Sequence, residues 1–367
     1  MKRSMLRTLA ADAPVAVAIA LGVLTHLHVL PEGVGFVRML VLVGLILACA
    51  FRAMKRADEL AEHFGEPLGT VILTISAITI EVAAVCAVML GQNGDPTVAR
   101  DTMFSVVMLI LNLLLGLALV VGCFKRGEQA FNPQSSGAYL PLIIALALLS
   151  LVLPRFTTSA SGGWMSTPME IFVAVGSLGV YGLFLWMQTT RHRDFFAHHG
   201  TTEGEAHGHG AGSVSPWKSG TMLFLSLVGV VLVAESLAGR VHELLHRLYI
   251  PSGIGGVFIA ALVLAPEGFA ALRSAKRNDM QRSVNILLGS ALSTIGLTVP
   301  AVLAIRFITG SSPELGLDAP SIVLLLGTFL VAAINLGRGR VNAMQGFIHL
   351  LLFLAWIATI LDEASAR

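Results

Sequence analysis

Gly65–Leu90 reads GEPLGTVILTISAITIEVAAVCAVML, 26 mostly apolar residues with one carboxylate, Glu81, in their midst. The run is long enough to cross a bilayer as a helix, which takes about 20 residues. An ionisable group at that depth is costly. It therefore usually faces a cavity or a partner and marks a transport path or a proton relay, the alternative being a snorkelling or packing role. A second stretch, Pro251–Arg273, carries another mid-span carboxylate, Glu267. These two runs set the frame for the rest of the chain.

Composition agrees with them. A chain of 367 residues that is 55% hydrophobic and 13% charged, with a mean hydropathy of +0.80, is excluded from the soluble globular class. It reads as an all-α polytopic membrane protein whose first partner is the lipid bilayer. The net charge of +2, with no long basic run or aromatic-basic platform, argues against a nucleic-acid partner. Cys49, Cys86 and Cys123 lie in apolar runs without metal-ligand spacing and read as packing residues. No resident cofactor is expected, and monomer and homo-oligomer both stay open.

Eleven apolar spans are expected, at 14–30, 34–51, 66–91, 100–123, 138–153, 168–189, 219–238, 251–272, 283–307, 320–336 and 342–361. The basic start, Lys2, Arg3 and Arg7, could open a signal peptide, but LTHLHVLPEG offers no small-residue cleavage site, so the first span is expected to stay. With the N-terminus inside, 17 of the 24 Lys and Arg residues fall on the inner side, which puts the C-terminus outside.

One span left over from ten suggests an extra first helix (1–33) before two five-helix repeats, 34–190 and 219–361, joined by a linker at 191–218. Because five is odd, the repeats must be inverted. Aligning Glu81 with Glu267, an offset of 186, also pairs Gly69 with Gly255, Val71 with Val257 and Ala84 with Ala270; farther on, an offset of 182 pairs Arg100 with Arg282 and Asn112 with Thr294. The identity is weak. Both carboxylates nevertheless fall in the same relative span of each half, and that points to a repeat.

The linker, RHRDFFAHHGTTEGEAHGHGAGSVSPWK, reads as solvated and cytoplasmic. Its His192, His198, His199, His207 and His209 could bind a transition metal or sense pH, against the simpler reading of a solvated loop. Downstream, His242-Glu243-Leu244-Leu245-His246 matches HExxH, the two-ligand zinc motif of metalloproteases. An intramembrane zinc metalloprotease is thus the alternative reading, but no third ligand follows in a matching context. The segment Arg240–Tyr249 reads instead as a short amphipathic boundary helix.

The chemistry concentrates in the two Glu spans and the spans after them. Pro266 directly precedes Glu267; it removes a backbone donor and frees a carbonyl one turn earlier, so the helix is expected to break or bend there. Unwound carbonyls beside a carboxylate suit a hard cation such as Ca²⁺ or Na⁺. Before Glu81 runs a ladder of Thr74, Ser76 and Thr79, whose hydroxyls could supply oxygen ligands or bond back to their own helix. The following spans bring Asn112 in one half and Asn285, Ser290, Ser293 and Thr294 in the other.

GEPLGTVILTISAITIEV, LAPEGFAALRSAKRND and QRSVNILLGSALSTIGLTVPAVLAI resemble the repeat regions of the calcium/cation antiporter superfamily, and within it the bacterial ChaA-type calcium/sodium/potassium–proton antiporters. The resemblance implies a ten-helix inverted-repeat core with Glu81 and Glu267 facing each other near the midplane as the cation and proton site, and with Asn112, Ser290 and Ser293 on the ion path. It also implies acidic boundary helices that gather cations or gate the path, matched here by Asp58, Glu59, Glu235 and Glu243. No enzymatic reaction follows from it, and a bacterial inner membrane does. The family's calcium/proton exchangers carry an Asn three residues before each Glu; here those positions hold Ile78 and Leu264. Two oxygen ligands are thereby lost, which leaves Na⁺ or K⁺ open as principal substrate.

Desolvation disfavours the charged form of a carboxyl group, and a bound cation restores it. Protons and cations should therefore exclude one another at such a pair.

Overall fold

The computed structural model describes residues 2–27, 35–65, 72, 75, 76, 79, 82, 96–158, 162–188, 215–247, 252–310 and 313–365. Among these, twelve α-helices and one two-stranded pairing organise the chain. They are α1 (Lys2–His26), α2 (Phe36–Phe64), α3 (Val98–Met108), α4 (Leu115–Cys123), α5 (Pro133–Ala147), α6 (Thr167–Trp186), α7 (Pro216–Arg247), α8 (Ser252–Val263), α9 (Ala265–Lys276), α10 (Met280–Thr309), α11 (Ala319–Leu336) and α12 (Ala343–Ser365). Eight helical stretches among the described residues are long and apolar enough to cross a membrane, or nine when the bent pair α8–α9 counts as one. The apolar part of α1, Asp12–His26, is shorter. Glu81, most of the span that holds it and most of the His-bearing linker lie outside the described residues.

The span Ala99–Cys123 is continuous, α3 running into α4 through a π-helical turn, Leu109–Leu114. Such a turn leaves one residue extra per helical repeat and is a recurrent feature of functional helices. Its four leading residues, Leu109 to Asn112, are buried. The segment 240–247, expected as a separate boundary helix, instead continues α7 without a break. The reason is its spacing: Val241 and Leu245 are buried against the same cluster as the rest of α7, while Glu243 and Arg247 pair one turn apart on the exposed side.

Buried side chains fall into two clusters. The smaller joins α1, α2, α7 and α8. At its crossing, Gly229 of α7 lies against Cys49 of α2 and Ala18 of α1, small residues that let three helices approach closely. The larger cluster joins α3 through α6 with α8 through α12.

Packing between the two halves is reciprocal. The first helices of each half, α2 and α7, lie together; the third of one packs on the fifth of the other, α4 on α12 and α10 on α6. The loops repeat this exchange. β1 (Gln129–Ala130), after α4, pairs antiparallel with β2 (Arg340–Val341), which precedes α12. The loop after α10 meets the one before α6, where the Gly316 N–H donates to the Gly163 carbonyl at 2.9 Å.

Candidate functional site

Pro266 shapes the site locally. Helix α8 ends at Val263, Leu264 caps α9, and the two axes meet at 63°. The Leu264 N–H still donates to Ala260 and the Gly268 N–H donates to Leu264, so the ladder is interrupted only between them. Proline occupies the first turn of α9, where its missing donor costs nothing. The expected break is therefore present, one residue ahead of the proline pair Ala265-Pro266.

Glu267 stands in that same first turn, where the helix dipole favours negative charge. Its Oε2 is shielded from solvent and has no hydrogen-bond partner among the described residues. A buried carboxylate oxygen in that condition is strongly under-satisfied, and a proton or a cation is what would satisfy it. The following residue, Gly268, is pressed against Leu114 at the end of the π-helical turn; a Cβ there would come within 2.9 Å of Leu114 Cδ2. On the other flank Phe269 meets Phe51 of α2, ring centroids 5.7 Å apart. Helix α9 is thus held between α4, α10 and α2.

The remaining expected residues are distributed as follows. Glu81 lies outside the described residues. Ser76 is buried and Thr79 exposed, and each hydroxyl bonds back to its own helix, to the Ile72 and Ile75 carbonyls at 2.7 Å. Ser293 and Thr294 are buried on α10, and both donate to the Ser290 carbonyl, at 2.9 and 2.8 Å. Asn285 accepts from Ser135 Oγ at 2.5 Å and from Gln281 Nε2 at 2.9 Å, which ties α10 to the start of α5.

Asn112 is fully buried, but its carboxamide is engaged elsewhere. Nδ2 donates to Thr328 Oγ1 of α11 at 2.9 Å, and Oδ1 faces His349 Nδ1 of α12 at 3.4 Å. His349 Nε2 lies 3.3 Å from Asn335 Nδ2. Sequence reasoning named Asn112 but missed His349, Thr328 and Asn335. The available signal was a histidine inside an apolar span, which the cost of burying polar groups marks for attention.

Of the acidic boundary residues, Asp58 is exposed on α2. Its neighbour Glu59 is taken up by Arg56 Nη1 and Ser219 Oγ, both at 2.8 Å. Arg56 and Arg52 in turn hold Asp12, which anchors α1. Glu243 is paired with Arg247 at 2.5 Å. The side chains of Glu235, His242 and His246 lie outside the described residues. Among the described residues no three His, Cys, Asp or Glu side chains gather as a metal cluster. Glu170 of α6, 1% exposed, is ion-paired with Arg306 of α10.

Comparison with known proteins follows these features. The family described as sodium/calcium exchanger protein matches residues 34–190 and 218–361. The sodium-potassium/proton antiporter ChaA of Escherichia coli is 34% identical over 328 residues, 88% of each chain. The Ca²⁺/H⁺ antiporter ChaA of Bacillus subtilis is 23% identical over 335 residues, 90% of this chain and 93% of the relative. Among solved structures, an H⁺/Ca²⁺ exchanger, CAX, superposes with a TM-score of 0.73 at 15% identity, covering 99% of this chain and 91% of that one.

Proposed function

This chain belongs to the sodium/calcium exchanger protein family, and from that membership we propose that it is a secondary active transporter exchanging cations for protons by alternating access. The observation that carries the reading is Glu267: a carboxylate in the first turn after a broken span, with a buried oxygen that has no partner among the described residues. Glu81 is its counterpart from the other half. The domain organisation proposed with it is an extra helix 1–33, repeats 34–190 and 219–361 and the linker 191–218, with the N-terminus inside a bacterial inner membrane and the C-terminus outside. The family match to 34–190 and 218–361 and the reciprocal packing of α4 on α12 and α10 on α6 support this scheme.

Cation and proton compete for the same carboxylates. Losing the proton creates the charge that binds the cation, and a cation leaving makes the charge costly again. If the pair opens to one side at a time, the two flows must run in opposite directions. Two carboxylates balance one Ca²⁺ against two protons, or monovalent ions one for one. The E. coli relative is named for sodium, potassium and protons. With Ile78 and Leu264 where the family's calcium/proton exchangers carry amides, the sequence offers two fewer oxygen ligands, which favours a monovalent ion over Ca²⁺. The hydroxyls of Ser76, Thr79, Ser293 and Thr294 bond to their own helices, which makes them shapers of irregular helix first and ligands only on rotation.

An enzyme reading is not favoured. Glu243 of the HExxH segment is paired with Arg247, and the named relatives are transporters. In everted vesicles, Glu267→Gln and Glu81→Gln should abolish cation-dependent proton movement while insertion is unchanged. Wild-type exchange in both variants would overturn the proposal.

A further inference from the structure

The network around His349 links three helices that are far apart in sequence. Asn112 sits in the π-helical turn, Thr328 and Asn335 on α11, and His349 on α12. Asn112, Thr328 and His349 are 0% exposed and Asn335 is 6% exposed, so water does not serve these groups freely. Each must find its partner within the bundle.

The direction of every bond can be worked out from one fixed end. The Thr328 hydroxyl has a single hydrogen, and it is spent on the Leu324 carbonyl at 2.8 Å. Thr328 Oγ1 must therefore accept from Asn112, which requires the Asn112 amide nitrogen to face it, as it does at 2.9 Å. The second amide hydrogen points to Met108 Sδ at 3.4 Å. That leaves Asn112 Oδ1, an acceptor, facing His349 Nδ1. An acceptor on that side demands a hydrogen on Nδ1. Nε2 is then the acceptor, and the group it meets is the donor nitrogen of Asn335. The chain is fully matched in one tautomer of the ring and mismatched in the other.

We propose that His349, as the Nδ1–H tautomer, is a positioning residue for cation exchange: it holds the Asn112 carboxamide against α11 and α12 and so fixes the π-helical turn that seats Leu114 on Gly268, next to Glu267. The contact between the turn and Gly268 is close enough that a displacement of the turn is felt at α9, where an added Cβ would already lie 2.9 Å from Leu114. The proposal rests on the reading of Glu267 as the exchange site. It adds a residue from the last helix, 82 positions away in sequence, to the groups that define that site.

Atom counting supplies the variants. Asparagine carries its amide nitrogen at the δ position, where imidazole has the donating Nδ1, and glutamine carries its carbonyl oxygen at ε, where imidazole has the accepting Nε2. His349→Asn can therefore still donate to Asn112 Oδ1, whereas His349→Gln accepts from Asn335 and leaves Asn112 unbonded.

The experiment uses the full chain in proteoliposomes, with Na⁺ as the probe cation, and reads KM and maximal rate per inserted molecule. His349→Asn should keep the Na⁺ KM within about twofold, and His349→Gln should raise it about five- to tenfold, the factor expected for one buried hydrogen bond. A purely structural role would lower the maximal rate of both variants alike and leave KM in place, and that result would overturn the proposal.

Ring-¹⁵N histidine NMR of the wild-type protein in lipid, with His349 assigned by its loss in His349→Asn, tests the tautomer with no variant needing to function. An Nδ1–H signal is expected, and Nε2–H would overturn the proposal. Glu267→Gln is measured alongside. Wild-type exchange in that variant removes the exchange-site reading without touching the tautomer, so the two failures are distinguishable.

Discussion

Gly346→Ala tests a close helix crossing, that of α12 over α4. A Cβ built on Gly346 would lie 2.7 Å from the Gly116 carbonyl oxygen, 2.8 Å from Val120 Cγ2 and 2.9 Å from the Val120 nitrogen, where ordinary contact begins at 3.4 Å. Two of those three atoms are backbone and cannot rotate away, so the helices must part by several tenths of an ångström. Overpacking of this kind costs about 1–3 kcal/mol, and rigid neighbours put this site near the top of that range. Alanine's better helix propensity returns about 1 kcal/mol, which leaves a net destabilisation of about 2 kcal/mol. His349 lies one turn further along α12, so the same displacement should also pull it from Asn112. Gly327→Ala on α11 is the control: a Cβ there meets nothing within 4 Å, and it should be neutral or stabilising by up to about 1 kcal/mol. Thermal inactivation in detergent, followed by size-exclusion chromatography of the surviving protein, reads both. The reasoning is refuted if Gly346→Ala melts at or above the wild type, or no lower than Gly327→Ala.

Three further outcomes follow from named contacts. Arg306→Met strands Glu170 as a buried charge, which costs about 3–5 kcal/mol; the yield of folded protein should collapse and recover in the double variant with Glu170→Leu, and a wild-type yield for the single variant would contradict the pairing. Pro266→Ala returns an N–H to the break between α8 and α9; one recovered hydrogen bond is worth about 1 kcal/mol, roughly a fivefold bias toward the straight helix, so exchange in vesicles should slow by a similar factor, and an unchanged rate would remove the break from the mechanism. His242→Ala should leave exchange at wild-type rate, and loss of activity reversed only by zinc would favour the HExxH reading instead.

The membrane class, the placement of the long spans and the break at Pro266 were all legible in the sequence. Each depends on local physics, a run of apolar residues or a missing donor. The hydroxyl ladder was legible in kind, since Ser76, Thr79 and Thr294 bond back one turn as residues of their type commonly do in apolar helices. What stayed hidden is what depends on long-range pairing. Asn112 reads as an ion-path amide until Thr328 and His349, 216 and 237 residues away, are brought to it. Glu59 reads as a free cation-gathering group until Ser219 arrives from the other half to join Arg56. Asp12 reads as an ordinary charge at the start of an apolar run, yet it ties α1 to Arg52 and Arg56 of α2. The continuation of α7 through Arg247 was missed for a different reason: its charged face mimics a boundary helix, and only the burial of Val241 and Leu245 shows that it stays packed.

The most direct test of cation–proton exchange through Glu267 is purified protein in proteoliposomes carrying an imposed pH gradient, to which Na⁺, K⁺ and Ca²⁺ are added in turn, with Glu267→Gln in parallel. The account expects at least one cation to discharge the gradient in the wild type, Na⁺ or K⁺ more readily than Ca²⁺, and none to do so in Glu267→Gln. A wild-type protein that moves no protons with any of the three, or a variant that discharges the gradient as the wild type does, would contradict it.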